Sequence, residues 1–145
     1  MPEFNVYDLI EEGIRERCVY EVLEEKRVLE GRTRDDLHLL FNYMYDVGKL
    51  CLLSKTDSGN AESINAHCAN RIMHRLSIDS VAVNSCITNS FADANHNSIN
   101  WILDRDQQLA TELHISLNPT ITINNHTYHG DFDGLDIYYA VCSSF

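Results

Sequence analysis

The chain has 145 residues, and 44% of them are hydrophobic, which suits one globular domain and is short for two. Eleven lysine and arginine residues face 22 aspartate and glutamate residues, so the formal net charge of −11 disfavours nucleic acid and anionic membranes as partners. No stretch approaches the roughly 18 uninterrupted apolar residues that a membrane span needs. We therefore expect no direct membrane insertion by this segment.

The chain is predicted to begin with one long amphipathic helix, over about residues 5–29. Apolar residues recur there at steps of three and four, as they do along one helix face. They are Val6, Leu9, Ile10, Ile14, Cys18 and Val22. Gly31 with Thr33 ends the pattern. Basic residues alternate with acidic ones in this region, which indicates a solvated helix face. They are Arg15, Arg17, Lys26, Arg27, Arg32 and Arg34.

Two further helices are predicted over about 36–53 and 61–76. Asp35 or Asp36 suits the N-cap of the first. Its inner face is predicted to carry Leu37, Leu40, Phe41, Met44, Val47, Leu50 and Cys51. A polar turn at 55–60 is short enough to make the two helices antiparallel. We expect a Cys51–Cys68 disulfide across this contact, the alternative being two buried free thiols.

Shorter helices are predicted over about 80–88 and 98–113. Ile78 followed by Asp79 is typical of a hydrophobic staple and an N-cap at the start of the first. The second is indicated by apolar residues that return at helical spacing after a polar, asparagine-rich stretch. These residues are Ile99, Ile102, Leu103, Leu109, Ala110 and Leu113.

The hydrophobic period then changes from that of a helix to that of a strand. Residues 119–123 alternate and are β-branched, Asn124 and Asn125 suit a two-residue turn, and residues 126–129 return as the partner strand. Gly130 closes this β-hairpin.

A closing helix follows the hairpin, with Asp131 or Asp133 as its cap. It is predicted to carry Leu135, Tyr138, Tyr139, Val141 and Cys142. The sequence therefore predicts a helical region over 1–118 and a hairpin with a closing helix over 119–145, within one α+β, mostly helical domain.

The sequence offers little for catalysis or metal binding. It has no nucleophile triad, phosphate loop or nucleotide fingerprint, and no two cysteines have the spacing of a redox dithiol. Asp93, Asn95 and Asn97 alternate like the oxygen ligands of a calcium loop, but Ser98 stands where such a loop has glycine. We favour helix capping there and predict a non-catalytic protein without a metal or other cofactor.

Five cysteines are many for a reduced compartment and indicate an oxidising one. The glycosylation sequon Asn125-His126-Thr127 points the same way. The odd count means that one cysteine is free or pairs outside this chain.

Near the C-terminus, the order helix, X-Pro-Thr, strand, turn, strand, glycine and helix resembles the second half of a thioredoxin fold. Residues 119–130 and the ending Cys142-Ser143-Ser144-Phe145 resemble the corresponding stretch of plant-type vacuolar sorting receptors. The likeness covers nearly the whole chain. Upstream it runs through Cys18, Cys51, Cys68 and Cys86. The chain departs from the family at His129, where arginine is common, and at Ser144, where glycine is common.

The resemblance implies a lumenal domain of a membrane receptor that carries soluble proteins to a vacuole or lysosome-like compartment. It implies a secretory-pathway, vacuolar, endosomal or extracellular location, with protein cargo or neighbouring domains as partners and no enzyme activity. It also implies a cis peptide bond at Pro119, and a disulfide-linked helical insertion beside the C-terminal half of a thioredoxin-like fold. The first β-α-β portion of that fold is absent, so the domain is expected to be incomplete.

A two-stranded hairpin with open edges invites pairing with another chain. We expect protein contact through Ile121, Ile123, His126 and Tyr128. Two alternative functions stay open, namely a relative of thiol-disulfide oxidoreductases that lacks its active dithiol and a structural component of an extracellular assembly.

The remaining cysteines admit two pairings. A Cys86–Cys142 disulfide would tie the helical region to the closing helix and leave Cys18 unpaired or bound outside the chain. A Cys18–Cys86 disulfide is the main competitor.

Overall fold

The computed structural model describes residues 6–31, 36–52, 64–93, 99–117 and 119–145. These residues form a mostly helical structure with one small antiparallel sheet. The elements are α1 (Val6–Glu30), α2 (Leu37–Val47), a π-helical turn (Gly48–Leu52), α3 (Ala66–Arg75), α4 (Ser80–Ser90), α5 (Trp101–Glu112), β1 (Thr122–Ile123), β2 (His126–Thr127) and α6 (Gly134–Ser143). None of the described helices combines the length and apolar character that a membrane crossing requires.

The chain divides into two compact units, unit 1 (Met1–Ile102) and unit 2 (Leu103–Phe145). The sequence predicted a division between residues 118 and 119, at the change of hydrophobic period. The boundary between the two units falls within α5, between Ile102 and Leu103.

Unit 1 contains the hydrophobic core, in which α1 packs against α2 and α4, and α2 packs against α3. Its buried apolar side chains are Ile14, Cys18, Val19, Leu23, Tyr43, Val47, Cys51, Ile64, Cys68, Ala69, Ile72, Met73, Ile78, Val83, Ile87 and Ile102. The burial of these apolar side chains is the main favourable contribution to folding.

The structure confirms one long N-terminal helix and corrects its inner face. Gly31 follows α1 with φ of 60°, a conformation that glycine adopts without strain. Ile14 and Cys18 are buried as expected, whereas Val6, Leu9 and Ile10 are exposed. Periodicity identifies a helix face, but it cannot show how far along that face a neighbour packs.

The inner face of α2 also differs from the prediction. Phe41 and Met44 are exposed, whereas Tyr43 is completely buried. Val47 and Cys51 of the predicted face are buried as expected, so the buried face overlaps the predicted one and also includes Tyr43. Asp36 is the N-cap residue of α2 without a side-chain capping hydrogen bond. Asp35 lies outside the described residues.

Side-chain caps begin the next two helices. Asn65 Oδ1 accepts from the backbone N–H of Cys68 at 2.9 Å and caps α3, which begins at Ala66. The predicted start near residue 61 lies outside the described residues. Asp79 Oδ1 accepts from Val81 and Ala82, each at 3.0 Å, which confirms the predicted N-cap of α4. The predicted start of α5 at residue 98 lies outside the described residues.

The β-hairpin is present in unit 2, but its strands are shorter than predicted. β1 and β2 pair antiparallel in the register Thr122 with Thr127 and Ile123 with His126. The predicted strands over 119–123 and 126–129 were too long, because alternation of residue types does not show where the pairing of two strands ends. Asp133, one of the two predicted caps, accepts from the backbone of Leu135 at 2.9 Å and begins α6.

Candidate functional site

Unit 2 has no buried residue among those the structure describes. Several of its large apolar side chains are exposed, namely Leu103, Leu109, Leu117, Phe132, Leu135, Tyr138, Tyr139, Val141 and Phe145. Four of the five predicted side chains of the closing helix are in this set. Exposed apolar side chains mark an interaction site where they form a contiguous patch.

The hairpin of unit 2 has backbone groups that point away from its own ladder. The N–H of Tyr128 donates to the carbonyl of Ile121 at 2.8 Å, so these two residues form a hydrogen-bonded pair. Bonded and non-bonded pairs alternate in an antiparallel ladder, which makes Thr122 and Thr127 the non-bonded pair. Their N–H and C=O groups therefore face the two outer edges of the hairpin, where another strand can add.

The four residues predicted to make protein contacts lie together on this hairpin. Ile121, Ile123 and Tyr128 are half-buried, and His126 is exposed. An open cleft of about 420 Å³ lies at the end of the hairpin away from the turn, with Pro119 and Phe132 in its lining. Its size falls within the range of ligand pockets, and its open shape suits an extended polypeptide better than a small enclosed molecule.

This end of the hairpin is acidic. The hydroxyl of Tyr128 donates to the carbonyl oxygen of Asp131 at 3.1 Å. Partial desolvation, together with the negative charges of three nearby aspartates, raises the pKa of Tyr128. These aspartates are Asp136, Asp131 and Asp133. The ring of Tyr128 also lies over Gly130, where a Cβ atom would come within 2.1 Å of its hydroxyl oxygen. Glycine is therefore the residue that leaves Tyr128 in this position.

Unit 1 is held by two disulfides. The expected Cys51–Cys68 bridge is present and joins residues 17 apart in sequence. Cys18 pairs with Cys86, which connects α1 to α4. The predicted Cys86–Cys142 pairing was wrong, and Cys142 is an exposed free thiol. Cys18 and Cys86 lie on neighbouring helices of one core, so packing decides a choice that sequence spacing left open.

A buried polar cluster in unit 1 was not predicted. Arg15 has only 1% of its surface exposed, although its charge pattern indicated a solvated face. Its guanidinium donates to Glu12, and also to Glu11 at 2.5 Å. Tyr43 Oη donates to Glu12 Oε1 at 2.7 Å, which joins α1 to α2. Alternating charges look the same in sequence whether a helix face meets water or a neighbouring helix, so the signal was ambiguous.

Burial determines the ionisation of this cluster. Desolvation raises the pKa of Glu12, although the hydrogen bond from Tyr43 and the charge of Arg15 oppose the shift. Desolvation also raises the pKa of Glu16, with the charge of Glu12 adding to it. The same two causes raise the pKa of Tyr43. Each shift is a cost of burying the charged form.

The predicted calcium loop and cis-proline both include residues outside the part of the chain that the structure describes. Asn95 and Asn97 of the calcium candidate lie outside the described residues, and Asp93 is exposed. Within the part of the chain that the structure describes, no three His, Cys, Asp or Glu side chains are grouped as a metal site. The cis bond before Pro119 involves Asn118, which is also outside that part, so it stays a prediction.

The described residues form a mostly helical structure with two disulfides and a short two-stranded hairpin. The family model described as the vacuolar sorting receptor thioredoxin-like domain matches residues 3–142. The chain belongs to this family.

Similar relatives are plant receptors. The chain is 22% identical to vacuolar-sorting receptor 1 of Pisum sativum over 138 residues, which cover 95% of the chain and 20% of that receptor. It is 25% identical to vacuolar-sorting receptor 4 of Arabidopsis thaliana with the same coverage. It is 26% identical to vacuolar-sorting receptor 2 of Arabidopsis thaliana over 147 residues, with 98% of the chain and 20% of the receptor covered. The chain thus spans a fifth of the length of these curated relatives.

Proposed function

We propose that this chain is a non-catalytic protein-binding domain that works in the lumen of the secretory pathway as part of a sorting-receptor-like protein. The observation that carries the proposal is the open hairpin of unit 2, with outward backbone groups at Thr122 and Thr127. The names of the relatives support a role in sorting, since each is a vacuolar-sorting receptor. Unit 1 contributes most of the stability, because both disulfides and the core lie there.

The proposed partner is a soluble protein that presents an extended segment with basic residues. An extended segment can continue the hairpin ladder at β1 through main-chain hydrogen bonds. Unit 2 carries one basic residue, Arg105, against six acidic ones. The acidic residues are Asp104, Asp106, Glu112, Asp131, Asp133 and Asp136. Lysine or arginine in the partner therefore meets a complementary charge near Tyr128, which raises the rate of association and selects against acidic competitors.

The cysteines support a binding role over redox chemistry. A thioredoxin-type reaction needs an attacking thiolate and a resolving thiol close to it. Four of the five cysteines are closed in disulfides, and Cys142 is the only cysteine left as a thiol. This arrangement suits a domain stabilised for an oxidising lumen.

Photo-cross-linking in plant cells tests the proposal. A diazirine analogue of an aliphatic residue is placed at Ile123, and a matched control places it at Leu109, which is exposed on α5 of the same unit. We expect soluble vacuolar proteins to be cross-linked from position 123 and not from position 109. The same products from both positions would contradict a specific hairpin contact.

A proline substitution tests the mode of binding. Thr122→Pro removes an outward N–H while leaving the internal hydrogen bond between Tyr128 and Ile121 available. Thr122→Val is the matched control, since it keeps the N–H and favours a strand. We expect proline to abolish cross-linking from position 123 and valine to preserve it. Cross-linking that survives the proline would show that the partner does not add as a strand at β1.

A further inference from the structure

The turn of the hairpin consists of two asparagines with different structural roles. Asn124 and Asn125 have φ of 49° and 64°, which is typical of a two-residue type I′ turn. Asn124 Nδ2 donates to the carbonyl oxygen of Ser144 at 3.0 Å, so this amide connects the turn to the end of α6. The side chain of Asn125 is exposed and makes no hydrogen bond to any residue that the structure describes. One asparagine is thus structural, and the other is available for chemistry.

The available asparagine begins a sequon. Asn125-His126-Thr127 has the Asn-X-Thr pattern with a residue other than proline in the middle. The chain contains one other Asn-X-Thr, Asn118-Pro119-Thr120, in which the central proline prevents glycosylation. His126 and Thr127 are exposed, so a bulky group on Asn125 displaces no packed side chain. We propose that Asn125 carries an N-linked glycan.

The chemistry is a group transfer from a lipid-linked oligosaccharide diphosphate. Asn125 Nδ2 forms a bond to the anomeric carbon of the first sugar while the bond from that carbon to the diphosphate oxygen breaks. The lipid diphosphate leaves with the bonding electron pair, and the amide nitrogen loses one proton to a base of the transferase. This donor is found in the secretory pathway, so the inference rests on the proposed lumenal function.

The position of the glycan at the start of β2 determines which edge of the hairpin stays open to a partner. Asn125 directly precedes β2, whose two residues are both exposed, whereas the residues of β1 are half-buried. Open strand edges are sites of unwanted pairing, and natural proteins protect them with bulky or charged groups. The glycan protects the outer edge of β2 at Thr127 and leaves the outer edge of β1 at Thr122 for the partner.

Peptide mapping of the chain, expressed through a plant secretory pathway, tests the inference. Enzymatic removal of glycans in ¹⁸O-water marks an occupied asparagine as labelled aspartate, and we expect this mark at Asn125. Asn125→Gln and Thr127→Ala should both abolish the glycan. Thr127→Ser should keep it, and Asn124→Gln, a matched change at the neighbouring turn residue, should keep it as well.

The disulfides make failure of this inference distinguishable from failure of the proposed function. Formed Cys18–Cys86 and Cys51–Cys68 bridges show that the chain reached an oxidising lumen. Unmodified Asn125 in such molecules would overturn the glycan and leave the binding proposal standing. A glycan on Asn125 with no cross-linking from Ile123 would overturn the binding proposal and leave the glycan standing.

Self-association tests the protective role of the glycan. We expect gently deglycosylated protein to form more dimers and larger species than glycosylated protein in size-exclusion chromatography. Thr127→Ala, which is never glycosylated, should behave like the deglycosylated protein. Equal self-association of the two forms would overturn protection of the β2 edge.

Discussion

The two units of this chain differ in where their apolar side chains lie. Unit 1 buries its apolar residues in one core, places a charged cluster beside it and closes two disulfides. A similar fraction of the residues in unit 2 is aliphatic or aromatic, but none of those described is buried. The cysteine of unit 2 is a free thiol. The comparison teaches that hydrophobic composition does not determine burial. An element must have a neighbour to pack against, and the described residues of unit 2 have no neighbour that buries their apolar side chains.

If unit 1 provides the stability of the chain, removal of its Cys18–Cys86 disulfide is expected to have the largest effect on the free energy of unfolding. The bridge closes a loop of 68 residues, and restricting such a loop in the unfolded chain contributes about 4 kcal/mol. The double variant Cys18→Ala/Cys86→Ala should therefore lose about 4 kcal/mol in free energy of unfolding, measured by urea titration. Cys142→Ser in unit 2 is the control and should change the same quantity by less than about 0.5 kcal/mol. Equal losses would mean that stability is shared between the units.

The buried hydrogen bond of Tyr43 comes next in expected size. Tyr43→Phe removes the donor to Glu12 and leaves a buried carboxylate with one partner fewer. The expected loss is about 1.5–3 kcal/mol, as for hydrogen bonds to charged groups. Tyr45→Phe is the matched control on the same helix, because that ring is exposed and its hydroxyl accepts only from Lys49. If both variants unfold at the same urea concentration, the cluster contributes nothing to unit 1.

The smallest expected effect is a pH dependence of the free energy of unfolding, which arises from Glu12 in unit 1. The pKa of Glu12 is raised in the folded state, so the native protein binds this proton more tightly than the unfolded chain does. The free energy of unfolding should therefore rise as pH falls from the native pKa of Glu12 towards its ordinary value of 4.5. The groups that face this carboxyl are Arg15, Glu11, Glu16 and Tyr43.

Urea titrations at a series of pH values isolate this contribution. Glu12→Gln should show a smaller rise in stability on acidification than the unchanged protein. Glu25→Gln, an exposed change on the same helix, should follow the unchanged protein. Parallel curves for Glu12→Gln and the unchanged protein would assign the pH dependence to other groups.

Local signals in the sequence predicted most elements of the fold. Gly31 ended α1, Asp79 and Asp133 capped their helices, and the two asparagines turned the hairpin. Each of these features depends on the backbone preferences of a few adjacent residues, so neighbouring letters suffice to identify it. The four residues expected to contact a protein lie on this hairpin, and their role in binding stays a prediction.

Features that depend on distant neighbours were missed or misassigned. The partner of Cys86, the burial of Arg15 and the burial of Tyr43 all require knowing which helices pack together. The length of the strands was overestimated because alternation shows where a strand can form, not where a ladder partner ends.

The sequence by itself therefore determined the order of the elements, their caps and turns, the Cys51–Cys68 bridge across a short loop, and the family. These depend on residues close in the chain or on a pattern preserved along it. The tertiary structure alone decided that Cys18 pairs with Cys86, that Glu12, Arg15 and Tyr43 form a buried cluster, and that none of the described side chains of unit 2 is fully buried. Each of these results depends on which surfaces meet across long sequence separations, and side-chain burial is set by that packing.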